Sequence, residues 1–181
     1  MNNQTTQHTI FPADYIREIS ILTNCRSVPV FNAALLYLTT NTKQLDCASE
    51  YGVSSSLISR MAKILTETHE SVVRLAELSR PSTTKGKKVI LNEEYLRELI
   101  TLTSLKSEDI IAATVMFMTT TKTQVECANQ FGVKTPNISR ESKKLYLLHN
   151  KVVSILTSFK PIIKPELNND EEAHEALQDT A

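Results

Sequence analysis

The feature that most constrains the fold of this chain is an internal repeat. Residues 15 to 75 match residues 95 to 155 at a constant offset of 80 and without a gap, with 22 identities over 61 positions. Many other pairs preserve volume or charge, such as Tyr51 with Phe131. Because similarity at a fixed offset is typical of chains built from repeated structural units, each copy is predicted to be one helical unit.

Composition and helix signals predict an all-α fold of two tandem four-helix units. The chain is 41% apolar, has no Trp and only three Gly, which argues against an aromatic-rich β architecture. The second helix of each copy, VFNAALLYL or IIAATVMFM, is apolar on almost all sides and is therefore predicted to be buried in the centre of its unit. In each copy, helices are predicted to start after Pro12 or Asn92, at Ser27 or Ser107, and after Ser54 or Thr135. Helices are predicted to end at Gly52 or Gly132 and near Leu78 or Ser158.

The predicted domain organisation follows from where this helical pattern stops. The first unit covers residues 1–79 and the second covers residues 92–160. Between them, residues 80–91 combine Pro, Gly, Ser and Thr with three lysines, which predicts a basic linker. After Lys160, prolines and a run of polar and acidic residues predict a disordered, acidic tail over residues 161–181.

The net charge of zero hides an uneven distribution of charge. From Pro165 onward the tail has six acidic residues and no Lys or Arg, so residues 1–164 hold 20 basic and 14 acidic residues, a net charge of +6. The second copy has eight basic and five acidic residues, whereas the first has six and five. A basic body favours an anionic partner, and the second copy is expected to supply more of the affinity.

The third and fourth helices of both copies match the pattern of a helix-turn-helix. This motif needs a small residue where the helices touch, a residue that tolerates positive φ in the turn, and an apolar anchor on the second helix. Those positions are Ala48, Gly52 and Ile58 in the first copy and Ala128, Gly132 and Ile138 in the second, with Val53 or Val133 filling the turn. Two matches at equivalent places in a repeat are a stronger signal than one.

Both copies also carry the side chains that such a motif uses to read DNA. The N-terminal part of its second helix enters the major groove, where short polar groups, Asn and Arg reach base edges. The predicted base-reading residues are Ser54, Ser55, Ser56, Ser59 and Arg60 in the first copy and Lys134, Thr135, Asn137, Ser139 and Arg140 in the second. The predicted phosphate contacts are Gln44, Lys63, Gln124, Lys143 and Lys144.

At these residues a family resemblance can be stated. VECANQFGVKTPNISRESKKL, and more loosely LDCASEYGVSSSLISRMAKIL, resemble the helix-turn-helix of PapB-type fimbrial (adhesin biosynthesis) regulators and of KorA/TrfB-type plasmid repressors. With the preceding helix, the similar stretch covers about forty residues in each copy. The resemblance implies a bacterial regulator that binds operator DNA near fimbrial, plasmid or conjugation genes. Those families usually carry one unit per chain and dimerise, whereas this chain carries two.

The function predicted from these features is a sequence-specific double-stranded DNA-binding transcriptional regulator. Two covalently joined units can occupy successive major-groove faces about 34 Å apart, as the two subunits of a dimer do. Because the reading surfaces differ at Ser54/Lys134 and Leu57/Asn137, the expected operator is an imperfect repeat. The protein is expected in the bacterial cytoplasm, associated with the nucleoid, as a homodimer or an intrachain pseudo-dimer.

Two other function classes are weighed against this prediction. A helical protein-interaction module, or an RNA polymerase accessory factor, would more often expose aromatic and apolar anchors than the polar, basic helix starts seen here. An enzyme such as a recombinase would need clustered acids, a nucleophile with a base, or a Gly-rich phosphate loop, and none of these is evident. The chain is therefore predicted not to be an enzyme and to need no cofactor. The sign of regulation and the operator sequence stay open.

The cysteines and the hydropathy profile predict neither metal nor membrane. Cys25, Cys47 and Cys127 are too few for a disulfide framework and lack the partners of a zinc site. Cys47 and Cys127 are expected to be small buried side chains, with redox sensing as the alternative. No apolar run approaches the roughly 20 residues that span a bilayer.

Other repeated residues are given structural roles. His69 and His149 recur without a second metal ligand, and Tyr15 and Tyr95 are expected to pack or to lie beside local ion pairs. The default interpretation of the apolar residues of the fourth helix is core. Because this long helix offers more apolar surface than one small unit can cover, pairing through it between the two copies or between two chains is expected. The lysines of the linker are expected to be solvated; the alternative is an arm that touches DNA phosphate or the minor groove, made of Lys85, Lys87 and Lys88.

Overall fold

The computed structural model describes residues 10–23, 25–78, 83–85 and 88–163, and within these ranges the protein is mostly helical, as predicted. The first half contains α1 Ala13–Ser20, α2 Val28–Thr39, α3 Gln44–Tyr51 and α4 Ser55–Leu78. The second half contains α5 Glu93–Thr101, α6 Glu108–Thr119, α7 Gln124–Phe131, α8 Thr135–Ser158 and the short α9 Lys160–Ile163. Two short strands, β1 Thr83–Lys85 and β2 Lys88–Ile90, lie between the halves.

The sequence repeat reappears in the limits of the helices. Helices α2, α3 and α4 begin and end 80 residues before α6, α7 and α8, and α1 begins 80 residues before α5. The signals that end or start a helix act within one turn, so equal spacing in sequence gives equal helix limits.

Helix N-termini are stabilised more fully in the second half. The side-chain oxygen of Asn92 accepts hydrogen bonds from the backbone N–H of Glu94 (2.8 Å) and Tyr95 (3.3 Å). Thr123 and Glu126 form a reciprocal capping box at the start of α7. The hydrogen bonds from Thr123 hold the pKa of Glu126 below its ordinary value. By contrast, Pro12 and Lys43 at the starts of α1 and α3 make no side-chain cap bond. The expected cap residues Ser27 and Ser107 make none in either half.

Helix α2 is less completely buried than its composition predicts. Four of its residues are buried, namely Val30, Ala33, Ala34 and Leu38. Val28 at its start is 67% exposed, Pro29 is exposed as well, and the remaining residues are half-buried. Helix α6 likewise buries four residues, Ala113, Thr114, Val115 and Met118. Each of these helices therefore has a buried centre and partly exposed flanks.

The chain divides into two compact units, Met1–Glu70 and Ser71–Ala181. The division lies inside α4, whereas the predicted first unit extended to residue 79. In the last two turns of α4, Val72 and Leu75 are fully buried. Arg74 in the same turns forms a 3.0 Å ion pair with Glu98 on α5. The ion pair agrees with the assignment of the end of α4 to the second unit.

The predicted linker contains a hairpin that the sequence analysis did not anticipate. Strands β1 and β2 pair antiparallel, with Thr84 opposite Val89. The Tyr146 hydroxyl donates to the backbone oxygen of Val89 at 2.8 Å, and the backbone N–H of Leu91 donates to the oxygen of Met118 at 3.1 Å. These bonds attach β2 and the residue after it to α8 and α6.

Two predicted segments fall partly outside the described residues. In the linker these are residues 80–82, 86 and 87, so the predicted contact of Lys87 lies outside the described residues. Of the predicted acidic tail, only residues 161–163 are described, and they end α9.

Candidate nucleic-acid interface

The two helix pairs α3–α4 and α7–α8 are each joined by a three-residue turn of the same geometry. Gly52 and Gly132 end the first helix of each pair with φ values of 63° and 65°, in the left-handed region that favours glycine. In both turns the next residue closes the helix end. The backbone N–H of Val53 donates to the oxygen of Ala48, and that of Val133 to the oxygen of Ala128, both at 3.0 Å.

The residues predicted to hold the two helices together are buried. Ala48 and Ala128 are 6% and 3% exposed, and Ile58 and Ile138 are fully buried. In the second unit Ala128 and Ile138 share one core cluster with Ala113 of α6, and Val133 of the turn packs against it. The sequence pattern therefore identified the buried anchors of both helix pairs and, in the second unit, the contact between the two helices.

The repeated cysteines belong to the same buried layer. Cys47 and Cys127 are both fully buried, and Cys127 lies in the core cluster of the second unit. Burial raises the pKa of the Cys47 thiol. A buried protonated thiol is a poor nucleophile, which fits a packing role.

The predicted DNA-contact residues all lie at least partly on the surface. The exposed ones are Ser54, Ser56, Ser59, Arg60, Lys63, Lys134, Arg140, Lys143 and Lys144. The half-buried ones are Gln44, Ser55, Gln124, Thr135, Asn137 and Ser139. Most lie in the first three turns of α4 or α8, so each helix start presents a polar and basic surface.

In the first unit, Gln44 contacts the start of α4. Its side-chain amide donates to the backbone oxygen of Ser55 and to the hydroxyl of Ser59. A predicted phosphate contact and a predicted base-reading residue are thus joined in one small network. The Ser54 and Ser56 hydroxyls lie 3.0 Å apart beside it.

In the second unit, a buried carboxylate that the sequence analysis missed lies among the predicted contacts. Glu141 accepts a hydrogen bond from Arg140 Nε at 2.8 Å and is bonded by Lys144 Nζ at 3.1 and 3.2 Å. Burial alone would raise the pKa of Glu141, but the bonds from Arg140 and Lys144 outweigh it and hold that pKa below its ordinary value. A sequence signal for this burial existed, because the matching residue of the first copy is the apolar Met61.

A tyrosine and a histidine form the same pair in both halves. The Tyr15 hydroxyl lies 2.6 Å from His69 Nδ1, and the Tyr95 hydroxyl lies 2.8 Å from His149 Nδ1. The rings are nearly perpendicular, at 88° and 86°. Each pair joins the first helix of its half, α1 or α5, to the long helix that carries the basic surface.

The electrostatics of these pairs keep both partners uncharged near neutral pH. Burial raises the pKa of Tyr15, raises that of Tyr95 to about 12, and lowers the pKa of both His69 and His149. Near neutral pH the phenol therefore keeps its proton and the imidazole is neutral, and the imidazole tautomer sets which of the two donates the hydrogen bond. The recurrence of both residues at the same separation was visible in the sequence, but their contact was not predicted.

Two apolar side chains are exposed at equivalent places near these surfaces. Leu45 is 72% exposed and Val125 is 56% exposed, each being the second residue of α3 or α7. Leu57 on α4 is 45% exposed, where the second copy has Asn137. The surfaces are therefore mainly polar, with one apolar position common to both copies.

In the described ranges, no cluster of three or more His, Cys, Asp or Glu side chains is arranged to hold a metal ion. None of the helices in those ranges combines the length and apolarity needed to cross a bilayer. Compared with protein-family models, with curated proteins and with solved structures, the chain gives no significant match.

Proposed function

We propose that the protein is a sequence-specific double-stranded DNA-binding transcriptional regulator. The observation that carries this proposal is the repeated helix pair, in which a short helix, a tight glycine turn and a long helix start with polar and basic exposed side chains recur 80 residues apart. A helix-turn-helix uses this arrangement to place the start of its second helix in the major groove.

The proposal includes two tandem four-helix units, each containing one helix-turn-helix. The resemblance to PapB-type and KorA/TrfB-type regulators supports a bacterial operator-binding protein of the cytoplasm, acting near fimbrial, plasmid or conjugation promoters. Each unit would read one half-site of the operator. Because Ser54 and Leu57 of one surface are replaced by Lys134 and Asn137 in the other, the half-sites would differ.

The second unit is proposed to supply more of the affinity. On the first surface, Lys63 has Glu67 as an ion-pair partner at 3.7 Å. The equivalent Lys143 has Leu147 four residues later instead of an acid. A lysine without an adjacent acid attracts phosphate more strongly, since the acid would offset its charge. Although Glu141 offsets part of the charge of Arg140 and Lys144, the second copy still has eight basic and five acidic residues, against six and five in the first.

Selection from a randomised double-stranded DNA library at stated salt tests the proposal. The wild type is compared with Arg60→Ala and Arg140→Ala, each checked for its fold by circular dichroism. Enrichment of two unequal half-sites, each lost in one variant, is the expected result. Two identical half-sites would contradict the proposed division of reading, and absence of enrichment at low salt would contradict DNA binding itself.

A protein-interaction module or RNA polymerase accessory factor is the second candidate. The exposed Leu45 and Val125 favour it, because apolar side chains at equivalent exposed positions are typical of contacts with a protein. Replacing both with Ser separates the candidates. DNA binding that survives the double replacement supports the regulator. If neither the wild type nor the double variant binds DNA, and the variant loses a complex that the wild type forms with RNA polymerase, the alternative is supported.

A further inference from the structure

The charged group that Arg140, Glu141 and Lys144 form on α8 is unusual because its carboxylate is buried. Glu141 has a side chain that is only 9% exposed, whereas the side chains of Arg140 and Lys144 bound to it are each 61% exposed. A buried carboxylate is costly unless charged partners and hydrogen bonds compensate it. Both cations therefore stabilise Glu141, and in return it restricts where their side chains can lie.

The first unit has no equivalent of this group. Met61 occupies the place of Glu141 and Ile64 that of Lys144, although Arg60 matches Arg140. The two arginines thus stand at identical positions of a repeated helix, with a carboxylate neighbour in one copy only. A difference confined to the neighbours allows their effect on the arginine to be measured within one chain.

The geometry of the Arg140 contact leaves its outer edge available. Glu141 accepts from Nε, at 2.8 Å, which is the nitrogen nearest the chain in the guanidinium group. The two terminal nitrogens point farther along the side chain, and a pair of N–H groups on that edge matches the O6 and N7 acceptors of guanine. Fixing the guanidinium before binding reduces the conformational entropy lost on binding.

The geometry points to Glu141 as a positioning residue that orients Arg140 for reading guanine, so that the second unit discriminates bases more sharply than the first. This inference rests on the proposed function of the protein. Glu141 is too buried to contact a base itself and acts through Arg140. Lys144 bonds both oxygens of the carboxylate, at 3.1 and 3.2 Å, and keeps it compensated while Arg140 engages DNA.

The test measures base preference separately from total affinity. Arg140→Ala identifies the operator position at which the base preference is lost. At that position, binding to guanine is compared with binding to the other three bases in the wild type, in Glu141→Met and in Glu141→Gln. We expect Glu141→Met to lower the preference for guanine by about tenfold. Affinity for unrelated DNA should stay equal or rise, because a negative charge has been removed. Glu141→Gln keeps an acceptor for Nε and should lose less.

A transplant into the first unit provides the matched gain-of-function test. Met61→Glu combined with Ile64→Lys places a carboxylate and a lysine beside Arg60, as in the second unit, and should sharpen base preference at the first half-site. Thermal unfolding checks that each variant is folded. If Glu141→Met does not fold, Glu141→Gln and the transplant still decide the matter.

The outcomes distinguish the inference from the function on which it rests. Unchanged guanine preference in Glu141→Met, with that preference abolished by Arg140→Ala, overturns the positioning role while leaving DNA binding intact. A sharper preference in Glu141→Met would show that the carboxylate competes with DNA for Arg140 and would also overturn it. No selected site for the wild type at low salt would overturn the proposed function and this inference together.

Discussion

Replacing Thr114 with Val should make the protein more stable, which is the opposite of the usual effect of a core substitution. Thr114 is fully buried on α6, and its hydroxyl oxygen Oγ1 has no hydrogen-bond partner among the described residues. A buried polar atom without a partner costs about 1–3 kcal/mol. Valine has nearly the same shape and exchanges this hydroxyl for a methyl group, so the expected gain is about 1 kcal/mol.

The first half of the protein supports the expected increase in stability. Ala34, the equivalent residue, is also fully buried, so this position of the repeat accepts an apolar side chain. Thr114→Ser keeps the hydroxyl and loses the methyl group, and should therefore destabilise the protein by about 1 kcal/mol. The two substitutions move stability in opposite directions if the hydroxyl is the unfavourable part.

Urea denaturation followed by circular dichroism measures both changes, with thermal unfolding as a second assay. For a chain of this size, 1 kcal/mol corresponds to a shift of about 2–4 °C in Tm. A lower unfolding free energy in Thr114→Val would refute the reasoning, because it would mean that the hydroxyl makes a favourable interaction in the folded protein.

Three further predictions concern binding, the turns and pH. Arg140→Ala should weaken DNA binding more than Arg60→Ala in gel-shift titrations at fixed salt, and equal losses would contradict the proposed dominance of the second unit. Gly132→Ala should lower the unfolding free energy by about 1–2 kcal/mol through its φ of +65° alone, since an added Cβ meets no atom within 4 Å; Gly132→Asn should cost less, and an equal cost would argue against the conformational cause. Because burial lowers the pKa of His69 and His149 below 6.5, the unfolded state binds more protons just below that pH. Their contribution to the unfolding free energy is fully present above about pH 6.5 and is lost as the pH falls through the folded-state pKa. Urea midpoints should therefore fall in this range, and should fall less in a variant with both histidines replaced by Gln. An unchanged slope of the urea midpoint against pH in that variant would assign the pH dependence to other groups.

The candidate interface was partly visible in the sequence because its residues are consecutive. A reading surface built on the first turns of one helix needs only the helix to form, and the exposed positions of Arg60 and Arg140 follow from their spacing to Ile58 and Ile138. The glycine turns were visible for the same reason, since positive φ is a local property of Gly52 and Gly132. What sequence reasoning missed at the interface was Glu141, because an acid two residues after Ser139 on a basic helix is ordinarily solvated.

The sequence by itself determined the mostly helical class, the repetition of helix limits at an offset of 80, and the buried anchors of each helix pair. All of these depend on residues within a few turns of one another, where capping, glycine conformation and helical periodicity act. Tertiary structure alone decided that Glu141 is buried between two cations, and that Tyr15 meets His69 across 54 residues. It also decided that α4 ends within the second compact unit and that a hairpin forms in the predicted linker. These features depend on which surfaces cover one another after the helices pack, and that is settled by burial across the whole unit, which no local pattern encodes.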